Sequence, residues 1–476
     1  MVLLVYPCKG SPLSSPPLGI LHLKAMLSQG NIPSEVCCTS YGFHENNSVE
    51  DITLNIKEDT ICCGFSVMTG PQITEALELS SQIRKKYPNV VILWGGIHPT
   101  LTPEQTIENE NIDIVCVGEF EKTIVSLVRC IKEHGDLSTV PNIYYKVNNE
   151  IHNTKVASET FDLNDLPLLS YDSFPLDKFR KPYLDPFYKF RTNKVATIEI
   201  TRGCPLSCYF CVQNKLRTKF RYMRKDRMIE HLKHLKDLGF EAIVIADDNF
   251  FINPKANEYL EAIAELNLNM EIYVSIPVTI LHSMSEEDID LIQRAGIRSI
   301  GISVESGSDR MLNIMGKKHK IDMAYELNSK LRNRRIILNY NFIAGFPEET
   351  IYDIKQTYVA MINLILENVM TQVNIKRLMP TPNTAVYRSC IEKGMSAPKS
   401  LSDWVSYVDL EWKGTHAYID PEVENWYKEL KEFHETLFWF CYFHNTKQEM
   451  EDIATQKARL NYLMDTVKRK VQYPKI

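Results

Sequence analysis

The chain has 476 residues, of which 44% are hydrophobic and 24% charged, so it is long enough for about three domains and too rich in core-forming residues to be disordered. Its 54 Lys and Arg against 60 Asp and Glu give a formal charge of -6, which disfavours nucleic-acid binding. No run of about 18 uncharged apolar residues is present, which predicts that the chain does not span a membrane. The apolar run Met1–Tyr6 has no preceding basic region and ends at Pro7, so we expect a cytoplasmic protein.

Residues 1–135 alternate short apolar runs with amphipathic segments, which predicts an open, doubly wound, Rossmann-like parallel sheet. The predicted strands are Val2–Tyr6, Thr60–Val67, Val90–Trp94 and Ile112–Val117. The predicted helices are Leu18–Gln29, Pro71–Lys86, Pro103–Glu108 and Glu121–Glu133. Such sheets bind ligands beyond the carboxyl ends of their strands, so the loops that follow the last three of these strands are candidate ligand loops. No G-x-G-x-x-G follows the first strand, so a dinucleotide site has no support.

Residues 136–191 lose this alternation and gain turn-formers, which indicates a linker with a hairpin at 142–147. Residues 192–399 resume it with a longer period, and six strand–helix units predict a partial (β/α)6 barrel of the TIM type. The predicted barrel strands are Val195–Thr201, Glu241–Ala246, Glu271–Ile276, Arg298–Val304, Ile337–Ile343 and Gln372–Leu378. Residues 400–476 are helical and aromatic and are interpreted as a C-terminal helical cap, whose aromatic residues line either a substrate cavity or the cap's own core.

Three cysteines, Cys204, Cys208 and Cys211, follow the first barrel strand at the end where barrels of this type carry their catalytic residues. Three thiolates can hold a 4Fe-4S cluster and leave one iron open to another ligand. Zinc is the competing interpretation, but a structural zinc site needs four ligands, and the next histidines, His231 and His234, do not fit a zinc-finger spacing. The motif therefore favours an iron–sulfur cluster.

The string CPLSCYFC, with its C-x3-C-x2-C spacing and an aromatic residue before the last cysteine, resembles the radical S-adenosylmethionine (SAM) family. The resemblance implies that SAM chelates the open iron, that its reductive cleavage yields a 5'-deoxyadenosyl radical, and that an external one-electron reductant such as flavodoxin or ferredoxin is a partner. Asp247 and Asp248 stand where the family often has Gly-Gly-Glu, and Asn341 replaces the first glycine of G-x-I-x-G-x-x-E. The resemblance assigns SAM contacts to Phe210, Asp247, Asp248, Ser303, Glu305 and Ile343.

A doubly wound domain with the strings GFSVMTG, GGIHPT and GEFE, placed before such a barrel, resembles the cobalamin-binding domain of the cobalamin-dependent radical SAM enzymes. Many cobalamin domains supply a histidine below cobalt from D-x-H-x-x-G, and this string is absent. The resemblance therefore implies a lower face without imidazole, approached by Met68 or Thr69. It assigns cobalamin contacts to Ser66, Met68, Thr69, Gly95, Gly96, His98 and Glu119.

These features predict an enzyme that methylates an unactivated carbon of a small-molecule or peptide substrate through a 5'-deoxyadenosyl radical and methylcobalamin. The alternative within the same family is a non-methylating ring formation or rearrangement. A methylthiotransferase or tRNA-modifying enzyme shares the barrel but typically adds a second cluster. A cobalamin sensor would have no use for the three cysteines.

Overall fold

A computed structural model describes residues 1–8, 16–39, 55–148, 150–154, 160–172, 190–192, 194–217, 219–368, 370–407 and 416–429. These residues form two α/β units, one built on a seven-stranded sheet and the other on a six-stranded parallel sheet. None of the helices within the described ranges is long and apolar enough to cross a membrane. The α/β class predicted from the alternation of strands and helices is confirmed.

The N-terminal sheet has the strand order β2-β1-β3-β4-β5-β6-β7. Its strands are β1 Val2–Tyr6, β2 Ser34–Cys38, β3 Cys62–Ser66, β4 Val91–Gly95, β5 Ile114–Cys116, β6 Ile143–Val147 and β7 Glu150–Asn153. Its helices are α1 Leu18–Gln29, α2 Gln72–Lys86, α3 Ile97–Leu101, α4 Pro103–Ile107 and α5 Ile124–Lys132. Strands β1 to β5 are parallel, as the sequence predicts. The prediction missed β2 and α3, which are short and carry little periodicity.

The hairpin of β6 and β7 extends this sheet instead of lying over it as a linker. Strand β6 pairs antiparallel with β5, with Tyr145 opposite Ile114. Ile143 and Tyr145 are buried because alternate residues of the strand face the core of the sheet. All four residues of the outer strand β7 are exposed. Because β7 pairs with β6, it covers the backbone edge that β6 would otherwise leave open.

The second unit is a partial barrel of six parallel strands in the order β15-β14-β13-β12-β11-β8. Its strands are β8 Val195–Ile198, β11 Ala242–Ile245, β12 Glu271–Ser275, β13 Ile297–Glu305, β14 Ile337–Ala344 and β15 Thr371–Arg377. A short antiparallel pair, β9 Thr201–Arg202 and β10 Arg221–Tyr222, lies beyond β8. The helices are α6 Gln213–Leu216, α7 Lys225–Asp237, α8 Ala256–Leu266, α9 Val278–Ser283, α10 Glu286–Arg294, α11 Asp309–Ile314, α12 Ile321–Lys330, α13 Ile351–Glu367 and α14 Ala385–Glu392.

The two faces of the barrel strands differ in polarity. On β13, Ile300, Ile302 and Val304 are fully buried against the helices. The residues that alternate with them are small or polar, and this pattern continues on β14, where Asn339 Nδ2 donates to Ser299 Oγ at 2.8 Å. A polar lumen of this kind suits a polar ligand better than a packed apolar core.

The C-terminal residues within the described ranges include α15 Asp403–Tyr407 and α16 Pro421–Glu429. Trp404 packs against the N-terminal domain: its Nε1 donates to Gln105 Oε1 at 2.5 Å, and its ring lies 5.4 Å from the His98 ring. Trp426 packs on α13, 6.3 Å from the ring of Tyr358. Both are therefore core residues of interfaces rather than of a substrate cavity. The predicted cap residues Trp412 and Trp439 lie outside the described ranges.

Candidate active site at the facing edges of the two sheets

The cysteine loop, Gly203–Cys211, begins directly after β9 and is anchored by backbone contacts. Gly203 has φ +87°, and a Cβ there would lie 2.6 Å from the carbonyl oxygen of Lys219. Its amide donates to Asp248 Oδ2 at 2.8 Å. Further along, the Tyr209 amide donates to the Met315 carbonyl at 3.1 Å. The loop is therefore held at both ends while its centre remains open to solvent.

The three thiols of this loop are half-buried. Burial raises the pKa of Cys204 and of Cys211, and the neighbouring Cys208 thiol raises both further. Among the described residues, no three His, Cys, Asp or Glu side chains are grouped so as to hold one metal ion. A 4Fe-4S cluster needs no such convergence, because each thiolate binds a different iron. The donor set fits a cluster better than a single zinc ion.

Two aromatic residues of the loop connect it to the end of β14. The Tyr209 hydroxyl donates to Glu348 Oε1 at 2.7 Å. The Phe210 ring meets the Phe346 ring edge-on, with centroids 5.8 Å apart. Lys317 Nζ lies over the same ring, 5.6 Å from its centroid. Phe210 is half-buried, so part of its ring remains available to pack against a ligand.

Asp247 and Asp248, at the end of β11, both accept backbone hydrogen bonds. The two oxygens of Asp247 accept from the amides of Ile200 and Thr201, at 2.7 and 2.9 Å. Burial raises the pKa of Asp247 to about 8. Asp248 accepts from Gly203 and from Arg217 Nη1, at 2.8 and 3.2 Å. Both carboxylates therefore hold the strand and loop that carry the cysteines. Both oxygens of Asp247 have backbone partners, whereas the two hydrogen bonds to Asp248 share its Oδ2.

The other three predicted SAM residues lie on β13 and β14. Ser303 and Ile343 are half-buried on the lumen side. Glu305, at the end of β13, is 6% exposed and has φ +75°, a conformation that costs a non-glycine residue on the order of 1–3 kcal/mol. Its carboxylate accepts from Lys317 Nζ at 2.8 Å. Burial opposes the charge on Lys317, but Glu305 and the thiols of Cys208 and Cys211 raise its pKa above the usual value.

At the carboxyl edge of the N-terminal sheet, the backbone segments of two neighbouring loops pack closely against each other. Gly96 has φ +98°, and a Cβ there would lie 2.8 Å from the Val67 nitrogen and 3.2 Å from Ser66 Oγ. The Val67 amide in turn donates to the Gly95 carbonyl at 2.8 Å. Met68 is 45% exposed at the tip of the same edge. A flat or extended ligand can therefore approach this backbone closely.

We expect Gly96→Ala to lose stability and ligand binding together. Its Cβ would collide with the Val67 backbone, whereas a Cβ at Gly118, which also has positive φ, would meet no heavy atom within 4 Å. The matched Gly118→Ala variant carries only the conformational cost of about 1–2 kcal/mol. Urea unfolding should show Gly96→Ala to be less stable than Gly118→Ala by a further 1–3 kcal/mol or so. Equal losses in the two variants would contradict this.

His98 lies beneath this edge and not on it. Its side chain is fully buried, with Thr69 Oγ1 at 3.2 Å from Nδ1 and Thr102 Oγ1 at 3.2 Å from Nε2. Both ring nitrogens therefore have hydroxyl partners. His98 positions Thr69 and the loop, and its ring is not presented to a ligand.

Burial lowers the pKa of His98 to about 4, which makes a testable contribution to the pH dependence of stability. An unfolded histidine takes up a proton below about pH 6.5, whereas native His98 stays neutral. Native stability is therefore lost as the pH falls from about 6.5 towards 4. Between pH 7 and pH 5 the loss is about 2 kcal/mol. Urea unfolding of His98→Gln should be less pH-dependent by this amount, while His152→Gln, on exposed β7, should follow the wild type.

A buried network of charges joins the two domains directly behind the cysteine loop. Arg202, two residues before Cys204, donates through Nε to Glu199 Oε2 at 2.7 Å, and its Nη2 lies 2.7 Å from Glu121 Oε1 and 2.8 Å from His22 Nδ1. Only 2% of the Arg202 side chain is exposed. Burial opposes the charge on Glu121, but Arg202 holds its pKa well below the usual range. We call Arg202, Arg217, Arg221, Glu119, Glu121, Glu199 and Asp248 the charge network.

Glu119 belongs to this network. Its carboxylate pairs with Arg221 and lies 3.6 Å from Arg202 Nη1 and 3.9 Å from Arg217 Nε. The sequence predicted Glu119 as a ligand contact, and the structure places its carboxylate among three arginines of the barrel. The network itself was missed, because its pairs between the domains join residues 81 to 102 positions apart in the chain, which gives no local signal. The only local indication of the network was the pair of acidic residues Glu119 and Glu121 in the string GEFE.

Two further contacts show that the carboxyl edges of the sheets face one another. Helix α3, which follows the Gly95-Gly96 turn, contacts α6, which follows Cys211. Asn383 Nδ2, in the loop after β15, donates to the Leu101 carbonyl at 3.1 Å. The candidate ligand loops of the N-terminal sheet and the cysteine loop therefore lie on either side of one interface.

Comparison with known proteins identifies the two domains. The Radical SAM superfamily matches residues 198–360, and the B12 binding domain matches residues 11–128. An uncharacterized methyltransferase of Pyrococcus horikoshii is 26% identical over 367 residues, covering 75% of this chain and 76% of that protein. An anaerobic magnesium-protoporphyrin IX monomethyl ester cyclase of Synechocystis sp. is 24% identical over 358 residues, covering 72% and 68%.

The solved structures extend the likeness across both domains. The radical SAM methyltransferase TsrM of Kitasatospora setae, solved with cobalamin and a 4Fe-4S cluster, superposes with a TM-score of 0.69 at 16% identity, over 94% of this chain and 89% of that one. At this identity the likeness shows a shared fold. A radical SAM domain implies a 4Fe-4S cluster and SAM, and a B12 binding domain implies cobalamin. The chain belongs to the cobalamin-dependent radical SAM enzymes.

Proposed function

We propose that the protein is a methyltransferase that methylates an unactivated carbon of a small-molecule substrate. The observation that carries the proposal is the facing of the two sheet edges, which α3, α6 and the charge network hold together. An unactivated carbon cannot attack a methyl sulfonium, so methylation requires a hydrogen-abstracting centre and a methyl donor on either side of the substrate. When bound, the cluster with SAM would supply the first and cobalamin the second. Holding the reacting groups in line is the contribution of the chain.

The residues of the cysteine loop take the first role. Cys204, Cys208 and Cys211 would hold the cluster through three of its irons, and its fourth iron would be available to bind SAM. Phe210 packs against the nucleoside of SAM, and Ser303, Glu305 and Ile343 contact it from the lumen. Lys317 neutralises Glu305 and faces the thiols, which reduces the repulsion between the negative groups gathered there. Asp247 and Asp248 act mainly by fixing the loop, because backbone amides occupy them.

The N-terminal edge takes the second role. Gly95 and Gly96 let an extended nucleotide tail approach the backbone, and the hydroxyl of Ser66 lies beside them. Met68 and Thr69 would contact bound cobalamin from this edge, and neither side chain offers it an imidazole. His98 and Glu119 support the edge from behind and from the interface.

The proposal also names a reductant and a location. The reductive cleavage of SAM needs one electron, so we propose a one-electron carrier, a flavodoxin or a ferredoxin, as the electron donor. We place the reaction in the cytoplasm, where thiols remain reduced. All eleven cysteines within the described ranges are thiols, which agrees with that location.

A second candidate is a non-methylating ring formation on the same cofactors. The cyclase of Synechocystis sp. favours it, because that relative matches 72% of this chain. The methyltransferase relative covers slightly more of the chain at slightly higher identity, so methylation remains the conclusion.

The two candidates are separated by the fate of a labelled methyl group. Reduced holoenzyme would be incubated with methyl-labelled SAM and a small-metabolite extract of the source organism, and the products separated by mass spectrometry. Methylation predicts one labelled product and 5'-deoxyadenosine formed with it. An unlabelled product that has lost hydrogen would support ring formation and overturn the methyl-transfer proposal.

A further inference from the structure

Two buried thiols outside the cysteine loop lie unusually close together. Cys8 follows β1, Cys38 ends β2, and their sulfurs are 3.1 Å apart. Unbonded heavy atoms pack best at about 3.5–4.0 Å, and a disulfide bond is about 2.0 Å long. Cys8 is 5% exposed and Cys38 is fully buried. The pair is therefore closer than ordinary packing and about 1 Å from bonding distance.

The backbone of the two strands brings these sulfurs together. Tyr6 and Cys38 are register partners in the parallel pair of β1 and β2. Beyond them, the Thr39 amide donates to the Tyr6 carbonyl at 3.3 Å, and the Cys8 amide donates to Thr39 Oγ1 at 2.7 Å. The chain after β1 thus bends towards the chain after β2. To form a bond, the two sulfurs would have to approach each other by about 1 Å.

We propose that Cys8 and Cys38 form a reversible disulfide. The two thiols lose two protons and two electrons to a small-molecule disulfide, which is reduced to two thiols as the Cys8–Cys38 bond forms. Disulfides of cytoplasmic proteins are usually transient and redox-sensing, and this pair suits that role. The proposal does not rest on methyl transfer, because neither cysteine belongs to the cysteine loop.

The position of the pair gives the disulfide a consequence for ligand binding. Both cysteines lie at the carboxyl edge of the N-terminal sheet, where β1 adjoins β3. The hydroxyl of Tyr6, the last residue of β1, donates to Met68 Sδ at 3.8 Å, and Met68 lies in the loop after β3. Bond formation would fix the ends of β1 and β2 beside the loop that carries Met68.

The test is a differential alkylation of the intact holoenzyme under anaerobic conditions. Protein is incubated with oxidised glutathione, with diamide, or with a dithiol reductant, then denatured in alkylating reagent, digested without reduction and mapped by mass spectrometry. We expect either oxidant to lower alkylation of both Cys8 and Cys38 at least about tenfold. A joined peptide should appear, lighter by two hydrogens than the two thiol peptides, and the reductant should remove it.

Three variants make the result specific. Cys8→Ser should leave Cys38 open to alkylation after oxidation, and Cys38→Ser should do the same for Cys8. Cys37→Ser, on the opposite face of β2, should form the joined peptide as the wild type does. Full alkylation of Cys8 and Cys38 after both oxidants would overturn the proposal. So would their recovery only as separate glutathione adducts or joined to other cysteines.

Discussion

Cys204→Ala is expected to abolish iron binding by the cysteine loop and to lower 5'-deoxyadenosine formation at least about a thousandfold. Two thiolates cannot hold the cluster that three hold, and without the open iron SAM has no chelating site. The fold should survive, because Cys204 is half-buried and loses only its sulfur atom. Iron analysis, visible absorbance and quantification of 5'-deoxyadenosine measure the outcome.

The matched control for this variant is Cys130→Ala. Cys130 is also a half-buried thiol, but it lies on α5 of the N-terminal domain. We expect the control to keep its iron and its SAM cleavage, and both variants to keep the same bound cobalamin. A Cys204→Ala protein with its full iron content would show that this loop is not the cluster site.

Arg202→Met is expected to lower the free energy of unfolding by about 3–5 kcal/mol. Methionine fills much of the same space but leaves Glu121 buried without its arginine, whereas Glu199 keeps the Arg217 guanidinium at 2.5 Å. Burial opposes the charge on Glu121, and Arg202 keeps it charged in the wild type by lowering its pKa. Without Arg202, burial raises the native pKa of Glu121 above the unfolded value, so the variant should be least stable at high pH and recover as the pH falls.

Urea unfolding at pH 6 and pH 8 tests this prediction. The control is Arg334→Met, which breaks pairs with Glu286 and Asp290 whose side chains are 60% and 57% exposed. Exposed pairs contribute at most about 1 kcal/mol. If Arg202→Met were no less stable than Arg334→Met at pH 8, the charge network would not hold the domains together.

The sequence indicated most of the fold because each element carries its own local signal. Strands β1, β3 and β4 lie within short, mostly apolar runs, and the capping box of Ser285 and Asp288 marks the start of α10. The hairpin of β6 and β7 was also visible, but its place in the first sheet was not. That place depends on the open edge of β5, which lies 27 to 31 residues earlier in the chain and leaves no local pattern in the hairpin sequence.

The residues of the candidate site also differ in whether a local sequence pattern reveals them. The cysteine spacing and the strand-end glycines could be found from the sequence, since a motif places its residues close together. The roles of Asp247 and Glu119 could not, because their partners come from distant elements. His98 looked like a loop residue, yet Trp404 covers it from the far end of the chain.

The central claim is that one chain holds a 4Fe-4S cluster and cobalamin at facing edges. The most direct test is to purify the protein anaerobically and measure iron, sulfide and corrinoid in the same sample. We predict about four irons, four sulfides and one corrinoid per chain. Protein that retains iron but never binds corrinoid, or corrinoid but never iron, would contradict the claim.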